Sequence, residues 1–437
     1  MVSDVAEPIP PVRGMNDVLP AEIAAWQHFE ICTRELLGAY GYEEIRVPVL
    51  EHTELFKRAI GEHTDVVGKE MYTFTDRGGE SLTLRPEATA GIVRALISNG
   101  LLRGQRHKLW CLGPMFRHET PQAGRYRQFW QVDVEAVGCP GPDVDAELIA
   151  MSARLWQRLG IAGLKLQLNS LGTPESRGIY RARLLEYLRA RESQLDADSQ
   201  RRLAGNPLRV LDSKNPAMQE LLSGAPQLTE YLDAESREHF EALCSMLRAV
   251  GVSYEINPRL VRGLDYYTRT VFEWVTDSTH AQNAVCSGGR YDGLVAQLGG
   301  DATPAVGFAM GVERLVALLV AAGRAPAGAR ADVYVVVGGP PAAAAALQLV
   351  ERLRSELPAV RFELNVGAGN FKAQFRRADK SGAVLALVIG EDELARGMVG
   401  VKPLRASSGQ SECPIAQLGP GVEAALAAAR ADATPAP

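Results

Sequence analysis

Apolar and polar residues alternate most clearly between residues 109 and 138, and this pattern predicts two β-strands joined by a polar loop at residues 120–124. Successive side chains of a strand point to opposite faces. On the second strand we expect a core-facing apolar side formed by Trp130, Val132, Val134 and Ala136. The opposite, polar side is formed by Phe129, Gln131, Asp133 and Glu135.

This polar side has the chemistry of a binding site when it is paired across the hairpin with Arg117 and Glu119, which share one face of the first strand. A guanidinium suits bidentate phosphate binding, Phe129 offers a flat surface for a purine, and carboxylates with an amide can hold an amine. The pattern favours a site for a nucleotide and an aminated small molecule. The alternative is an ordinary amphipathic hairpin with a solvated face.

Before the hairpin, the pattern predicts a helix over residues 20–39 and a strand over residues 44–50. Pro48 cannot donate to a sheet ladder, which indicates an edge or an interface. A short strand over residues 81–85 and a helix over residues 87–98 follow. Glu87 and Thr89 then lie at a strand-to-helix turn, where either can cap the helix or bind a ligand.

After the hairpin, the chain alternates between predicted elements and one long charged helical stretch. A helix over residues 143–160 and a strand over residues 164–168 lead to residues 173–250, which show no strand pattern and indicate a helical insertion. A β-run over residues 266–275 and a strand that becomes a helix at Gly311 complete this part.

The C-terminal part has a different pattern of predicted elements. A linker rich in Ala, Gly and Pro covers residues 321–331, and a β-α-β-α-β series follows it. Alternation of this kind predicts a parallel or mixed sheet. The predicted strands cover residues 332–337, 361–366 and 384–390, and the helices cover residues 342–357 and 371–380.

Composition narrows the classes of protein. The 437 residues suggest two to four domains, and 46% hydrophobic with 23% charged residues is ordinary for a globular chain. No apolar run approaches the ~20 residues of a membrane span, and the N-terminus lacks a secretory pattern, so we expect a cytoplasmic protein. The six cysteines form no CxxC pair and the seven histidines no HExxH spacing, which argues against a structural zinc site or a disulfide framework.

A net charge of −5 argues against a surface built for indiscriminate nucleic-acid binding. Two local clusters of basic residues remain, and each of them can be an ordinary solvated surface. One is formed by Arg103, Arg106 and Lys108, and the other by Lys372, Arg376, Arg377 and Lys380.

Several phrases resemble a known enzyme family. FRHE at residues 116–119 with RYRQFWQ at residues 125–131 resembles motif 2 of class II aminoacyl-tRNA synthetases, while residues 20–50 and 306–319 resemble motifs 1 and 3. RGLDYY at residues 262–267, GGRYDGL at residues 288–294 and RPEATA at residues 85–90 are similar to histidyl-tRNA synthetase signatures. In RPEATA, Ala88 stands where that family usually has glycine.

The resemblance implies an α/β fold: an α+β catalytic domain with a mixed, mainly antiparallel sheet flanked by helices, a helical insertion and a C-terminal α/β anticodon-binding domain. The implied boundaries are residues 13–172 and 251–325 for the two catalytic segments, 173–250 for the insertion and 331–425 for the anticodon-binding domain. It also implies a homodimer, with Pro48 at the interface.

The resemblance also assigns roles. The catalytic cations are Arg117, at the ATP α-phosphate, and Arg262, near the reacting carboxylate and phosphate. The rest of the implied ATP site comprises Glu119, Arg125, Phe129 and Arg314. Glu87, Thr89 and Gln131 are implied to hold the α-amino group. Glu135, Tyr266, Tyr267 and Tyr291 complete the implied histidine site, with Glu135, Tyr267 and Tyr291 at the imidazole. Lys372, Arg376 and Arg377 are implied to bind tRNA.

The implied reaction has two steps. Histidine attacks ATP to give histidyl-adenylate and pyrophosphate, and the histidyl group then moves to the 3′ end of its tRNA. Mg²⁺ is expected to accompany ATP, with ligands that the sequence leaves unassigned. One alternative is a class II synthetase for a different amino acid with a similar C-terminal domain, and RGLDYY at residues 262–267 argues against it. The other is a non-catalytic paralogue that senses histidine and regulates histidine biosynthesis. Such proteins lack the complete signatures and the C-terminal domain, whereas Arg262, Arg314 and residues 331–425 are present here.

Overall fold

The computed structural model describes residues 8–61, 64–122, 124–204, 206–211, 213, 215–276, 283–326, 328, 331–367, 369–405 and 409–432. The chain divides into two compact units, and the boundary along the sequence lies between Pro326 and Ala327. Among the described residues, every helix is too short or too polar to cross a bilayer.

The first unit contains two sheets. Its strands are β1 Glu43–Glu44, β2 Leu50–His52, β3 Tyr72–Thr75, β4 Ser81–Leu84, β5 His107–Phe116, β6 Gln128–Val137, β7 Leu164–Ser170, β8 Glu255–Ile256, β9 Thr268–Thr276, β10 Ala284–Arg290 and β11 Ala305–Gly311. The larger sheet has the order β1-β5-β6-β11-β10-β9-β7-β8, and the smaller sheet has the order β2-β4-β3. Pairs β1/β5 and β7/β8 are parallel, and all the other pairs are antiparallel. The predicted mixed, mainly antiparallel sheet is therefore confirmed.

Helices cover both faces of the larger sheet. They are α1 Ile23–Ala39, α2 Thr53–Ile60, α3 Thr89–Ser98, α4 Pro142–Leu159, α5 Pro174–Arg189, α6 Ala197–Ala204, α7 Gln219–Ser223, α8 Ala234–Ala249, α9 Leu294–Gln297 and α10 Val312–Ala321. Shorter helical turns lie at Val66–Glu70, Glu192–Gln194, Pro207–Val210, Pro216–Met218 and Leu228–Tyr231.

The period-two pattern of β6 assigns its two faces to different surroundings. Val132, Val134 and Ala136 are fully buried in a core shared with α1, α4, α8 and α10. The opposite face of β6 looks toward a second core, to which α2, α3, α5 and α9 contribute. The predicted core-facing side is confirmed, and the polar side is left for the functional site.

The predicted strand over residues 44–50 was wrong in one respect, because it is divided between the two sheets. β1 pairs with β5 of the larger sheet, whereas β2 pairs with β4 of the smaller sheet. Pro48 lies exposed in the unpaired stretch between them, where its missing N–H costs no ladder hydrogen bond. Two helices also begin later than predicted, α1 at Ile23 and α3 at Thr89.

The second unit is a five-stranded mixed sheet with helices. Its elements are β12 Val333–Gly338, α11 Pro340–Glu356, β13 Phe362–Leu364, α12 Phe371–Ser381, β14 Leu385–Gly390, α13 Glu391–Ala395, β15 Met398–Pro403, β16 Ser411–Pro414, a turn at Ile415–Gln417 and α14 Leu418–Asp432. The strand order is β13-β12-β14-β15-β16, in which β12, β13 and β14 are parallel and the last two strands antiparallel. The sequence pattern missed β15 and β16, since they are short and Gly400 interrupts the apolar run.

A buried ion pair with several hydrogen bonds stabilises the first unit. The guanidinium of Arg290 and the carboxylate of Asp145 are fully buried and joined. Arg290 also donates to the carbonyls of Cys139 at 3.0 Å and Gly141 at 2.8 Å, and His239 of α8 lies 3.3 Å from Asp145 of α4. Burial alone would raise the pKa of Asp145, but hydrogen bonds from His239 and Arg290 hold it below its ordinary value.

We predict that Arg290→Met lowers the stability of the first unit by about 3–5 kcal/mol, because it leaves Asp145 buried without its cation. All five tryptophans precede residue 327, so urea unfolding followed by tryptophan fluorescence reports this unit alone. Arg58→Met, which removes an exposed pair with Glu54, is the control and should cost less than about 0.5 kcal/mol. Equal losses for the two variants would contradict the assignment.

Candidate active site

One cavity of about 710 Å³ lies over the polar face of β6. Every residue predicted for the ATP and histidine sites lines it. These residues are Glu87, Thr89, Arg117, Glu119, Arg125, Phe129, Gln131, Glu135, Arg262, Tyr266, Tyr267, Tyr291 and Arg314. The hairpin is therefore the floor of a pocket rather than a solvated surface, and the alternative of an ordinary amphipathic hairpin is wrong.

Three guanidinium groups gather at one end of the cavity. Arg117 donates from Nε to the carbonyl of Pro86 at 2.9 Å and lies 5.4 Å above the ring of Phe129. Arg125 pairs with Glu119. Arg314 donates to the carbonyls of Gly124 at 2.8 Å and Ala284 at 2.5 Å. These contacts fix the three cations around one space.

The three arginines oppose one another electrostatically. Burial first, and then the charges of Arg125 and Arg117, lower the pKa of Arg314 below its ordinary value. Burial and the charge of Arg117 also lower the pKa of Arg125, although Glu70 acts in the other direction. An anion bound among them would relieve both burial and repulsion, so this end of the cavity is suited to a polyphosphate.

Glu87 is buried in the turn between β4 and α3, directly after Pro86, whose carbonyl accepts from Arg117. Tyr266 donates from its hydroxyl to Oε2 at 2.9 Å, and the backbone N–H of Ala90 donates to Oε1 at 3.2 Å. Burial raises the pKa of this carboxyl group, while the hydrogen bond from Tyr266 partly offsets that effect. Glu87 thus both caps α3 and presents a carboxylate to the cavity.

Glu135 is also fully buried, deeper along β6. Thr89 donates to its Oε1 at 2.6 Å, and Tyr291 donates to its Oε2. Burial, together with the nearby Asp133 and Glu87, raises the pKa of Glu135 to about 8 despite these two donors. On β11, Gly307 faces this carboxylate, and a Cβ at that position would collide with it.

Three tyrosines form an aromatic wall beside the two glutamates. The ring of Tyr266 lies 4.7 Å from Tyr267 and 5.5 Å from Tyr291. Gly288 and Gly289 of β10 permit this arrangement, because a Cβ on either would meet neighbouring backbone. The stretch GGRYDGL therefore combines close strand packing, the buried Arg290 and a pocket tyrosine in seven residues.

Arg262 is held in place by a partner that the sequence pattern missed. Its Nη1 donates to Glu273 Oε1 at 2.8 Å, and Ser287 donates to the same oxygen at 3.1 Å. The guanidinium lies 5.9 Å from the ring centre of Tyr267. Glu273 was detectable as the one charged residue inside the apolar stretch 271–275.

Several acidic residues that line the cavity were not predicted as site residues, and two of them, Glu313 and Asp133, are buried or half-buried against β6. Glu313 accepts the backbone N–H of Trp130 at 2.8 Å, and burial raises its pKa to about 7. Asp133 lies fully buried between Gln131 and Glu135 on β6. It shares their face by period two, so the alternation that identified its neighbours already pointed to it.

The remaining predicted residues lie outside this cavity. Lys372 and Arg376 are exposed on α12, whereas Arg377 is half-buried and donates to Asn365 at 3.1 Å. Phe371 is 46% exposed. Phe375 packs against the core of the second unit beneath Lys402, whose Nζ lies 4.6 Å from the ring centre. Phe371 is therefore the aromatic residue of α12 that is available for stacking.

Comparisons with known proteins agree with this geometry. The histidyl-tRNA synthetase family model matches residues 14–315, and the anticodon binding domain model matches residues 332–424. The crystal structure of apo S. aureus histidyl-tRNA synthetase is 35% identical, with a TM-score of 0.79 over 94% of this chain and 99% of that one.

Two more distant structures share the fold. A histidyl-tRNA synthetase from a Nostoc species is 21% identical, with a TM-score of 0.68 over 96% of this chain and 100% of that one. A protein from Bacillus halodurans, described as an ATP phosphoribosyltransferase regulatory subunit/histidyl-tRNA synthetase, is 23% identical, with a TM-score of 0.63 over 85% of this chain and 97% of that one. The family model and the S. aureus structure each span most of the catalytic unit, and the chain belongs to the histidyl-tRNA synthetase family of aminoacyl-tRNA ligases.

Proposed function

We propose that this cavity joins histidine to ATP and then passes the histidyl group to its tRNA, with the residue roles given below. The observation that carries the proposal is the lining of one cavity, which combines three mutually close arginines with buried carboxylates and tyrosines. Such a site can bind a polyphosphate and a cationic amino acid side by side. Bringing the two together supplies much of the catalysis, since it replaces a collision with an oriented contact.

At the nucleotide end, Arg117 holds the α-phosphate and Phe129 stacks on adenine, whose amine meets Glu119. Arg125 and Arg314 hold the outer phosphates. The support is the burial of Arg314 and then its repulsion by Arg125 and Arg117, which together lower its pKa and make an anion the favoured occupant. Arg125 is paired with Glu119. Binding of ATP would separate this pair, with Glu119 at the adenine amine and Arg125 at the outer phosphates.

At the amino-acid end, Glu87 and Gln131 hold the α-ammonium, and Glu135 with Tyr267 and Tyr291 holds the imidazole. Tyr266 positions Glu87 through the hydroxyl bond at 2.9 Å. Thr89 donates to Glu135, which favours a role in orienting that carboxylate in addition to any contact with the amine. The carboxylate of histidine is then left facing the arginines.

In the first step, a carboxylate oxygen of histidine forms a bond to the α-phosphorus, the bond from that phosphorus to the bridging oxygen breaks, and pyrophosphate leaves. Arg117 and Arg262 stabilise the charge that builds on the α-phosphate in the transition state. In the second step, a hydroxyl of the terminal ribose of tRNA attacks the carbonyl carbon and AMP leaves. Arg262 is suited to this position because Glu273 and Ser287 fix it.

Mg²⁺ is proposed to arrive with ATP. In the described ranges, no three His, Cys, Asp or Glu side chains converge as a metal site would require. The proposal does not need such a cluster, since Mg²⁺ often takes its ligands from phosphates, water and one or two carboxylates. Bound there, the ion would neutralise phosphate charge.

The second unit is proposed to read the anticodon through Lys372, Arg376 and Arg377, which lie together on α12. We further propose the domain boundaries given from the sequence, a cytoplasmic location, where tRNA is charged for translation, and a homodimer. The exposed edges β1 and β2 on either side of Pro48 support a dimer interface there. The histidine-sensing paralogue is disfavoured because Arg262, Arg314 and a matched anticodon-binding unit are all present.

We predict that Arg262→His lowers the rate of adenylate formation by roughly 10²–10³-fold, because a fixed charge at the developing transition state is lost. Single-turnover adenylation measures this step directly. Arg259→His, three residues away on the same segment and exposed, should leave the rate unchanged. A rate for Arg262→His within a few-fold of the parent would remove Arg262 from the catalytic set.

We predict that a chain ending at residue 330 keeps histidine activation better than tRNA charging, because the two compact units divide near that point. Histidine-dependent ATP–pyrophosphate exchange measures the first activity, and aminoacylation with tRNA binding measures the second. The truncated protein must first match the full chain in oligomeric state. Unchanged tRNA affinity would show that the second unit is not the anticodon reader.

We predict that Glu135→Ala raises the KM for histidine by roughly 10–100-fold and changes the KM for ATP little, because it deletes the partner of the imidazole and leaves Thr89 and Tyr291 without an acceptor. Pyrophosphate exchange with each substrate titrated separately measures both constants. Glu135→Gln, which keeps the shape and one acceptor, should fall between the parent and the alanine variant. Equal losses for ATP and histidine would contradict a role at the ring.

A further inference from the structure

Asp133 is the residue of the cavity floor whose chemistry remains unexplained. It is fully buried, and neither carboxylate oxygen has a partner at ordinary hydrogen-bond geometry among the described residues. The backbone N–H of Ala88 faces it and lowers its pKa, but this effect is weaker than those of burial and of the neighbouring charges. The Oε1 atom of its neighbour Gln131 is likewise buried and unpartnered. Both residues line the cavity. Buried polar atoms are nearly always satisfied, so three unused acceptors on one floor indicate a donor that comes from outside the protein.

We propose that Asp133 is a counter-charge for the substrate's α-ammonium group, acting with Glu87 and Gln131. An ammonium carries three N–H donors and no acceptor. It matches the unpartnered acceptors of Asp133 and Gln131 together with the carboxylate of Glu87, which also accepts from Tyr266 and Ala90. The proposal rests on the proposed function, because it names a further residue of the same histidine site. It makes Asp133 a specificity-determining residue that selects substrates with a free α-amine.

The neighbouring cations do not fill this role. Arg85 is committed to the carbonyls of Pro114 at 3.0 Å and Val47 at 2.9 Å, and Arg117 to that of Pro86 at 2.9 Å. Their charges act on Asp133 from a distance. Burial, with the charge of Glu87, outweighs them and raises the pKa of Asp133 to about 7.

Other titratable groups face Asp133 from the elements packed around it, and none supplies the missing donor. On β5 its pairing partner is Cys111, whose thiol pKa is raised to about 11 by burial and then by Asp133 itself. On β11 its partner is Ala309, which cannot titrate. Glu87 from the β4–α3 turn is bonded to Tyr266 and Ala90, and Glu135 from the same strand is bonded to Thr89 and Tyr291, so neither carboxyl group is engaged with Asp133.

Binding of an ammonium should therefore be coupled to proton release. In the empty cavity, Asp133 is about half protonated near pH 7. A bound cation favours the ionised form, so affinity rises with pH through that value and levels off above it. Between pH 6 and pH 8 the ionised fraction changes about tenfold for a group of this pKa.

The test uses the full chain and two ligands that differ only in the amine: histidinol and 3-(imidazol-4-yl)propan-1-ol. Calorimetry without ATP gives their dissociation constants for the parent and for Asp133→Asn, which keeps the side-chain shape. Asp301→Asn, at an exposed position outside the cavity, is the control. The ratio of the two constants isolates recognition of the amine, since both ligands share the imidazole ring and the hydroxyl group. The imidazole pKa of each free ligand is measured separately, and its protonation is included when the constants are compared.

We expect Asp133→Asn to weaken histidinol at pH 8 by at least about tenfold and to leave the des-amino ligand within about twofold. The ratio should improve about tenfold from pH 6 to pH 8 in the parent. In the variant this dependence should be clearly smaller, and what remains comes from Glu87, whose pKa is also raised by burial. Equal weakening of both ligands, or a parent-like ratio and pH profile in the variant, would overturn the inference. A parent protein that shows no histidine-dependent pyrophosphate exchange would instead overturn the proposed function.

Discussion

Burial of several carboxyl groups on one floor is the constraint on which the site depends. Glu87, Asp133 and Glu135 are each at least 96% buried, and the charge of each disfavours ionisation of the others. Such groups cannot all be ionised at once without added positive charge. The protein supplies hydroxyl donors from Thr89, Tyr266 and Tyr291, which steady two of the three carboxylates but add no charge. Under the proposed function, the α-ammonium group of histidine supplies the positive charge that these buried carboxylates lack.

The three arginines of the cavity show the same effect for positive charge. Arg117, Arg125 and Arg314 are anchored by carbonyls or by one carboxylate, and burial with mutual repulsion lowers the pKa of Arg314. Each group of side chains is therefore incomplete alone, the first lacking a cation and the second an anion. Under the proposed function, histidine supplies the cation and ATP the anion. Their reacting groups, a carboxylate and an α-phosphate, would then meet near Arg262, which Glu273 holds in place.

Sequence periodicity was sufficient for the parts of this design that one strand encodes by itself. The alternation in β6 separated its core-facing residues from Gln131, Asp133 and Glu135 without any structure. It did not identify partners that meet only through tertiary packing, such as Glu273 beneath Arg262 or Gly307 opposite Glu135. It also joined β1 and β2 into one strand, because local pattern does not show that a chain leaves one sheet for another. The roles assigned to individual residues came from family resemblance and stay predictions.

The stretch from Gly288 to Leu294 shows why stability and substrate recognition are hard to separate in this site. Arg290 points into the buried network with Asp145, and the next residue, Tyr291, donates to Glu135 in the cavity. The side chains of Arg290 and Tyr291 point in different directions from adjacent backbone positions. A shift of this backbone segment therefore affects the buried network and the cavity together. A change at Arg290 should therefore shift Tyr291 and weaken histidine binding even where the protein remains folded. The arginines proposed to bind ATP lie in the segment between β5 and β6 and on α10, so ATP binding should be affected less.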